Sequence, residues 1–186
     1  MKIGIYGGSF NPVHYGHIGL AQWVLAHTDL EEVWLMVSPN NPLKKGDTLA
    51  PEAARLAAVR EAVQDLPGIE ASDFEFALPR PSYTANTLRA LQHAYPQHVF
   101  SLIIGEDNLA IFDHWREYAY IAENYRIFVY PRRSNSPQDG LTGKAGLTTQ
   151  WSNSVAVKEL VFLKDAPLFD ISSTEIRNKT KQQWEE

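Results

Sequence analysis

Two histidines stand three residues apart where a strand-like segment runs into a helix-like one. His14 and His17 follow Gly7 and Gly8 in the segment YGGSFNPVHYGHIGLA, residues 6–21. Side chains three apart at the start of a helix share one face, so both imidazoles can point to the space above the glycine turn. Glycines before a helix N-terminus let a phosphate come close to the backbone amides. The pattern therefore predicts a phosphate-binding turn to which the histidines donate hydrogen bonds.

Two other interpretations of the histidine pair remain open. A zinc site needs a third ligand, and the next candidates along the chain are His27 and Asp29. Both rings could instead be held by hydrogen bonds within the turn, and the glycines could serve only a tight connection. If phosphate is the ligand, we expect the charged, doubly donating imidazole, because the ordinary pKa of histidine is about 6.5.

A second motif, ISSTEIR at residues 171–177, combines a helix start with a cation. Ser172 and Glu175 match a capping box, which predicts that a helix begins here. Arg177 follows Ser173 by four residues, so the two side chains share a helical face with the free backbone amides. A hydroxyl, a guanidinium and these amides predict a second anion site. One anion site at each end of the same cleft suits a triphosphate.

The segments that must position these motifs alternate between strand and helix patterns. Strands are predicted at 2–6, 31–38, 98–105, 125–130 and 157–163, with short strands within 69–76. Helices are predicted at 51–66, 83–95 and 108–123, besides those that start near His14 and Ser172. This alternation predicts an α/β fold, a single Rossmann-like domain with a mostly parallel sheet flanked by helices on both faces. Ligands of such folds bind at the carboxyl ends of the strands, which gathers 7–17, 38–45, 105–107 and 132–133 along one edge.

Composition restricts the class of protein. The chain has 186 residues, of which 44% are hydrophobic and 21% charged, which predicts one domain over residues 1–186. The net charge of −5 argues against a general nucleic-acid partner. The sequence has no apolar run long enough to predict a membrane span. We therefore expect a cytoplasmic protein, either a monomer or a homo-oligomer. The absence of cysteine excludes disulfides and thiolate chemistry. Residues 132–150 are polar and predict a mobile surface loop, and only a short end follows Arg177.

The two motifs resemble the paired signatures of the nucleotidylyltransferase superfamily, an (H/T)xGH turn and a late STxxR-type motif. Four further stretches are similar to bacterial nicotinate mononucleotide adenylyltransferases, namely SPNNPLK at 38–44, RPSYTANTL at 80–88, IIGEDNLAIFDHW at 103–115 and VYPRR at 129–133. The resemblance implies transfer of the adenylyl group of ATP to nicotinate mononucleotide in NAD biosynthesis. The products would be nicotinate adenine dinucleotide and pyrophosphate. It also implies Mg²⁺ carried mainly by the ATP phosphates, with no metal-ligating set of the protein's own.

The resemblance further implies which residues form the site. His14, His17 and Arg177 would be catalytic, by stabilising charge on the phosphates. The residues implied to bind ATP are Gly7, Gly8, Ser9, Phe10, Gly105, Asp107, Ile171, Ser172 and Ser173. The residues implied to bind the mononucleotide are Lys44, Tyr83, Thr84, Asp107, Trp115 and Arg133. In this scheme Trp115 stacks on the pyridine ring, and the backbone amides at residues 83–84 receive its carboxylate.

Other functions fit parts of the pattern. An adenylyltransferase or cytidylyltransferase for another phosphorylated substrate, such as phosphopantetheine, would share the two motifs. It would not account for the PSYT stretch or for the GEDN stretch and its tryptophan. A non-catalytic nucleotide-binding sensor would keep the fold, although intact His14, His17 and Arg177 argue for catalysis. Trp115 could also be a core residue, as tryptophans often are.

Overall fold

A six-stranded sheet forms the centre of the computed structural model, which describes residues 1–39, 49–132, 150–169 and 171–182. The strands are β1 (Lys2–Gly8), β2 (Glu32–Val37), β3 (Ile69–Ser72), β4 (Val99–Gly105), β5 (Arg126–Tyr130) and β6 (Glu159–Phe162). Their order is β3-β2-β1-β4-β5-β6, and every neighbouring pair is parallel. The prediction of a Rossmann-like α/β fold is confirmed.

In the described part of the chain, five α-helices lie between strands and a sixth follows β6. They are α1 (Tyr15–His27), α2 (Glu52–Val63), α3 (Thr84–Ala94), α4 (Glu106–Leu109), α5 (Tyr118–Asn124) and α6 (Ser173–Gln182). The helical region predicted over 108–123 is divided, since a 3₁₀ turn at Phe112–His114 separates α4 from α5 and Glu117 adopts a left-handed backbone with φ 55°. Of residues 69–76, only Ile69–Ser72 is a strand, and a 3₁₀ turn follows at Phe74–Ala77.

The sheet is buried on both faces, which explains why its central strands are apolar runs rather than alternating ones. Along β1, Ile3 and Ile5 belong to the cluster that includes Leu88 of α3. Tyr6 belongs to the opposite cluster, with Val24 of α1 and Val59 of α2. Truncation of a buried leucine in such a core typically costs about 2–5 kcal/mol. The two cores together fix the position of β1, the strand that leads into the glycine turn.

The strand order reverses between β1 and β4, because connections run outward from this pair in both directions. In open parallel sheets the crevice at such a reversal is the usual ligand site. The glycine turn leaves β1 at this point, and β4 ends beside it at Gly105. Within the described ranges, no helix has the length and apolar character needed to cross a bilayer.

Candidate active site

A cavity of about 350 Å³ opens where the strand order reverses. Its walls include residues 5–9 from the end of β1 and residues 102–104 from β4. Six of the residues implied by sequence to bind nucleotide line it, namely Gly7, Gly8, Ser9, Tyr83, Thr84 and Trp115. The cavity therefore joins the predicted phosphate turn to the predicted pyridine site.

The two glycines of the turn differ in their surroundings. A Cβ at Gly8 would lie 3.2 Å from the Phe10 ring, a tight contact that favours glycine for packing. A Cβ at Gly7 would meet no protein atom within 4 Å, yet Gly7 is exposed and lines the cavity. Packing does not explain glycine at position 7, whereas close approach of a ligand to the backbone does.

The histidine rings of the turn stack on each other. The His14 and His17 ring centroids are 3.6 Å apart, with 26° between the ring planes. The backbone N–H of His14 donates a 3.2 Å hydrogen bond to Nδ1 of His17, and the Phe10 ring packs edge-on against His17. Because Nδ1 accepts this bond, a neutral His17 ring carries its proton on Nε2.

His14 is kept neutral at physiological pH. Burial, the largest cause, and the Arg132 guanidinium together lower its pKa from the ordinary 6.5 to about 4, although Glu175 opposes both. The charged, doubly donating form expected beside a phosphate stays a prediction, because the neutral form follows here from burial and from the neighbouring cation of the protein itself. A neutral imidazole still donates one hydrogen bond to a phosphate oxygen, and approach of phosphate charge would raise its pKa.

The two sequence motifs contact each other directly. Oγ of Ser173 donates a 2.9 Å hydrogen bond to the carbonyl oxygen of Pro12, and the Arg177 guanidinium donates to the carbonyl of Asn11. The predicted capping box is present, since Ser172 N–H donates to Glu175 and Glu175 N–H donates to the Ser172 hydroxyl. The start of α6 thus braces the turn after β1.

Glycines on α1 make room for the segment that leads into α6. A Cβ at Gly16 would lie 3.0 Å from Ile171, and one at Gly19 would overlap the Phe169 ring. Ile171 therefore has a packing role against α1. The structure places Ile171, Ser172, Ser173 and Arg177 around the histidine turn, and their contacts with ATP remain predictions.

Arg132 is a candidate functional residue that the sequence placed at the ligand edge without a specific role. Its aliphatic stem crosses Gly105, where a Cβ would lie 2.7 Å from Cδ of Arg132. Its Nη1 donates to Asp107 at 3.2 Å. This pair stands at the carboxyl ends of β4 and β5, so Arg132 adds a cation beside the phosphate turn. The sequence signals were its place directly after a buried strand and within the VYPRR stretch.

The chain matches known sequences over nearly its whole length. Residues 5–179 match the family model described as cytidylyltransferase-like. A Flavobacterium johnsoniae protein named "Probable nicotinate-nucleotide adenylyltransferase" is 44% identical over 98% of this chain and 88% of its own length. A Bacteroides thetaiotaomicron protein of the same name is 45% identical over 95% of this chain and 80% of its own. The chain belongs to the nicotinate-nucleotide adenylyltransferase family.

Solved structures share the fold of this nicotinate-nucleotide adenylyltransferase family member. The nicotinic acid mononucleotide adenylyltransferase of Plasmodium falciparum in complex with NaAD superposes with a TM-score of 0.69, covering 95% of this chain and 82% of that one. The same Plasmodium enzyme in complex with APC gives a TM-score of 0.67. Sequence identities are 17% and 16%, so this likeness concerns the architecture alone.

The far wall of the cavity in this adenylyltransferase family member is anchored by a buried carboxylate. Glu75, only 6% exposed, accepts hydrogen bonds from the hydroxyls of Thr87 at 2.6 Å and Ser82 at 3.2 Å. These bonds fix the first turn of α3, where residues 83–84 line the cavity. Trp115 is partly exposed in the same wall and packs against Phe112 with ring centroids 5.4 Å apart. Sequence reasoning missed Glu75, whose sole signal was a carboxylate between two phenylalanines.

Arg55 was also missed, and it holds together the loops beside the glycine turn. This α2 side chain is 2% exposed and donates to three backbone carbonyls, those of Ser9 at 2.7 Å, Ser38 at 2.9 Å and Ala50 at 2.9 Å. It lies four and eight residues before the buried Val59 and Val63, so it stands on the apolar stripe of α2. That position was the signal available in the sequence.

Some predicted site residues have a different role or lie elsewhere. The Phe10 side chain is 2% exposed and packs on Tyr6 and His17, so any contact with ATP would come from its backbone. Lys44, Arg133 and almost all of the loop predicted at 132–150 lie outside the described residues. Among the described residues, no three His, Cys, Asp or Glu side chains are grouped as a metal site would need.

Proposed function

We propose that this chain transfers the adenylyl group of ATP to nicotinate mononucleotide, giving nicotinate adenine dinucleotide and pyrophosphate in NAD biosynthesis. The observation that carries the proposal is the shared cavity, in which the glycine turn and Trp115 line one space. Relatives of that name are more than 40% identical, and the matches cover 88% and 80% of their length. A cytoplasmic location is part of the proposal.

The proposed step is an in-line displacement at phosphorus. An oxygen of the mononucleotide phosphate forms a bond to the α-phosphorus of ATP, and the bond from that phosphorus to the bridging oxygen of the β-phosphate breaks. Pyrophosphate leaves with the bonding electron pair. Catalysis then rests on positioning and on neutralising the developing charge rather than on a covalent intermediate.

The residues around the turn have the donors that this step needs. His17 can donate from Nε2 and His14 from its one protonated nitrogen. Arg177 donates to the carbonyl of Asn11 and to Thr174, and in this proposal its guanidinium also stabilises the charge of the leaving pyrophosphate. In this proposal Gly7, Gly8 and Ser9 bring backbone amides to the phosphates.

Mg²⁺ is proposed to arrive with ATP. The described part of the chain groups no three metal-ligating side chains, and Asp107 is paired with Arg132, so the donor set suits an ion held mainly by phosphate oxygens and water. When bound, the ion would neutralise phosphate charge. Chelation should abolish turnover and added Mg²⁺ should restore it, while metal analysis of the purified protein finds no retained ion.

The deciding experiment is pyrophosphate release by the purified chain with ATP and a panel of acceptors. We expect release with nicotinate mononucleotide and a product with the mass of nicotinate adenine dinucleotide. Release only with phosphopantetheine, or only when CTP replaces ATP, would favour another transferase of the superfamily. Binding of ATP without release for any acceptor would indicate a sensor. Either result would overturn the proposal.

A further inference from the structure

Arg116 lies on the cavity wall directly after Trp115. The side chain is exposed, and its guanidinium carbon is 4.9 Å from the centroid of the Tyr83 ring. A cation over an aromatic face is held in place electrostatically without losing its hydrogen-bond donors. Arg116 is thus placed at the cavity with its donors directed to no carboxylate of the described chain.

The other arginines of the described ranges are engaged differently. Those that pair with carboxylates are Arg60, Arg80, Arg89, Arg126 and Arg132. Arg55 and Arg177 donate to backbone carbonyls. Arg116 instead places its guanidinium over the Tyr83 ring. Its guanidinium therefore keeps its capacity for a planar anion from outside the protein.

The charges on the cavity wall point the same way. Among the described lining residues, Arg116 is the one lysine or arginine and Glu75 the one acidic residue. Both Glu75 oxygens accept hydroxyl hydrogen bonds, so Glu75 is engaged within the wall. A ligand group that reaches this end of the cavity meets an unpaired positive charge, which favours an anionic group over a neutral one.

The proposed reaction indicates which anionic group of the ligand would lie beside Arg116. The acceptor phosphate has to lie at the glycine turn, because its oxygen must reach the α-phosphorus there. The group beside Trp115 and Arg116 is then a ring substituent at the other end of the acceptor. We propose that Arg116 is a specificity-determining residue that selects a pyridine carboxylate over the neutral carboxamide. This inference rests on the proposed function and names the feature of the acceptor that is recognised.

The test compares nicotinate and nicotinamide mononucleotides with wild type, Arg116→Gln and Arg116→Lys. We expect Arg116→Gln to lower kcat/KM for the acid about tenfold through KM, the effect of losing one charge-assisted hydrogen bond, with little change for the amide. Arg116→Lys keeps the charge without the planar fork and should be intermediate. Arg89→Gln removes an exposed arginine that is not on the cavity wall, and should leave both substrates unchanged.

Calorimetric binding of each mononucleotide separates this inference from the proposed function. A selective loss of affinity for the acid in Arg116→Gln supports the inference independently of turnover. Equal losses for both mononucleotides would overturn it, since they would place Arg116 at the common phosphate or in the fold. If the ratio of the dissociation constants for the two mononucleotides is the same in Arg116→Gln as in wild type, the inference is overturned as well. If wild type binds the acid selectively but releases no pyrophosphate, the proposed reaction fails while the role of Arg116 is still measured.

Discussion

The Ser173 hydroxyl donates a 2.9 Å hydrogen bond to the carbonyl oxygen of Pro12, which lies 161 residues earlier in the chain. One turn further along α6, Arg177 donates to the neighbouring carbonyl of Asn11. The late motif therefore has a structural role besides the anion binding predicted for it. It holds the backbone of the early motif, so we expect a change in α6 to alter the turn before His14.

Loss of the hydrogen bond from Ser173 to Pro12 should impair the use of ATP. We expect Ser173→Ala to raise KM for ATP and lower kcat, together reducing kcat/KM about threefold to tenfold, the range expected for one hydrogen bond. Steady-state pyrophosphate release measures it. Ser154→Ala, at an exposed serine beyond the 3₁₀ turn Gln150–Asn153, is the matched control. ATP kinetics equal to wild type in Ser173→Ala would show that the turn holds its shape without the brace.

His17→Ala should lower kcat on the order of 10²-fold or more, the usual cost of removing a donor aimed at developing charge. The unfolding midpoint should stay close to wild type, because the ring is only partly buried. His27→Ala, at the other end of α1, controls for loss of any histidine from this helix. Near-normal turnover in His17→Ala would remove the residue from the catalytic set.

His14 should make stability depend on pH. Its pKa is about 6.5 in the unfolded chain and about 4 in the folded protein, so the unfolded chain binds a proton between these values that the folded protein does not. The free energy of unfolding therefore falls as pH is lowered through this window. Between about pH 7.5 and about pH 5, the melting temperature should fall more for wild type than for His14→Gln. Parallel curves for the two proteins would contradict the lowered pKa.

Arg55→Met should destabilise the protein by about 2–4 kcal/mol, because the carbonyls of Ser9, Ser38 and Ala50 lose the donor that this buried side chain supplies. Urea denaturation measures the free energy of unfolding. Arg60→Met, at an exposed position of the same helix, should change it by less than about 1 kcal/mol. Equal effects of the two substitutions would mean that the three carbonyls find other partners.

Trp115→Ala should weaken binding of nicotinate mononucleotide and leave ATP binding nearly unchanged. The ring lines the cavity and is partly exposed, so its removal deletes a stacking surface as well as a packing contact with Phe112. Base–aromatic stacking is worth roughly 1–3 kcal/mol, which corresponds to at least about fivefold in Kd. Calorimetry with each nucleotide measures it. An unchanged mononucleotide Kd would make Trp115 a core residue only.

Local patterns predicted most of the fold. The apolar runs of β1 and β4, and the capping box at Ser172, depend on neighbouring residues, so the sequence alone indicates them. The division of the region 108–123 was not predicted, because the left-handed position is occupied by Glu117 and not by the glycine that would usually indicate it. Helical periodicity alone therefore gave one region where the structure has separate elements.

Long-range contacts account for what sequence reasoning missed at the site. Arg132 acts by crossing Gly105 of another strand. Arg55 acts through the carbonyls of Ser9 and Ser38, 46 and 17 residues away in sequence. Neither relation has a local signature. The neutral state of His14 also depends on burial and on Arg132, which only the folded arrangement brings together.

The bond between Ser173 and Pro12 also bears on how the protein acquires activity. Closing so long a loop costs conformational entropy, and this contact can offset that cost only after the intervening sheet has assembled. The N-terminal motif is synthesised first, yet its backbone is braced only when α6 docks. We therefore expect nascent or partly folded chains to form the sheet first and to bind ATP only after α6 has docked. Nucleotide binding would then report that α6 is in place.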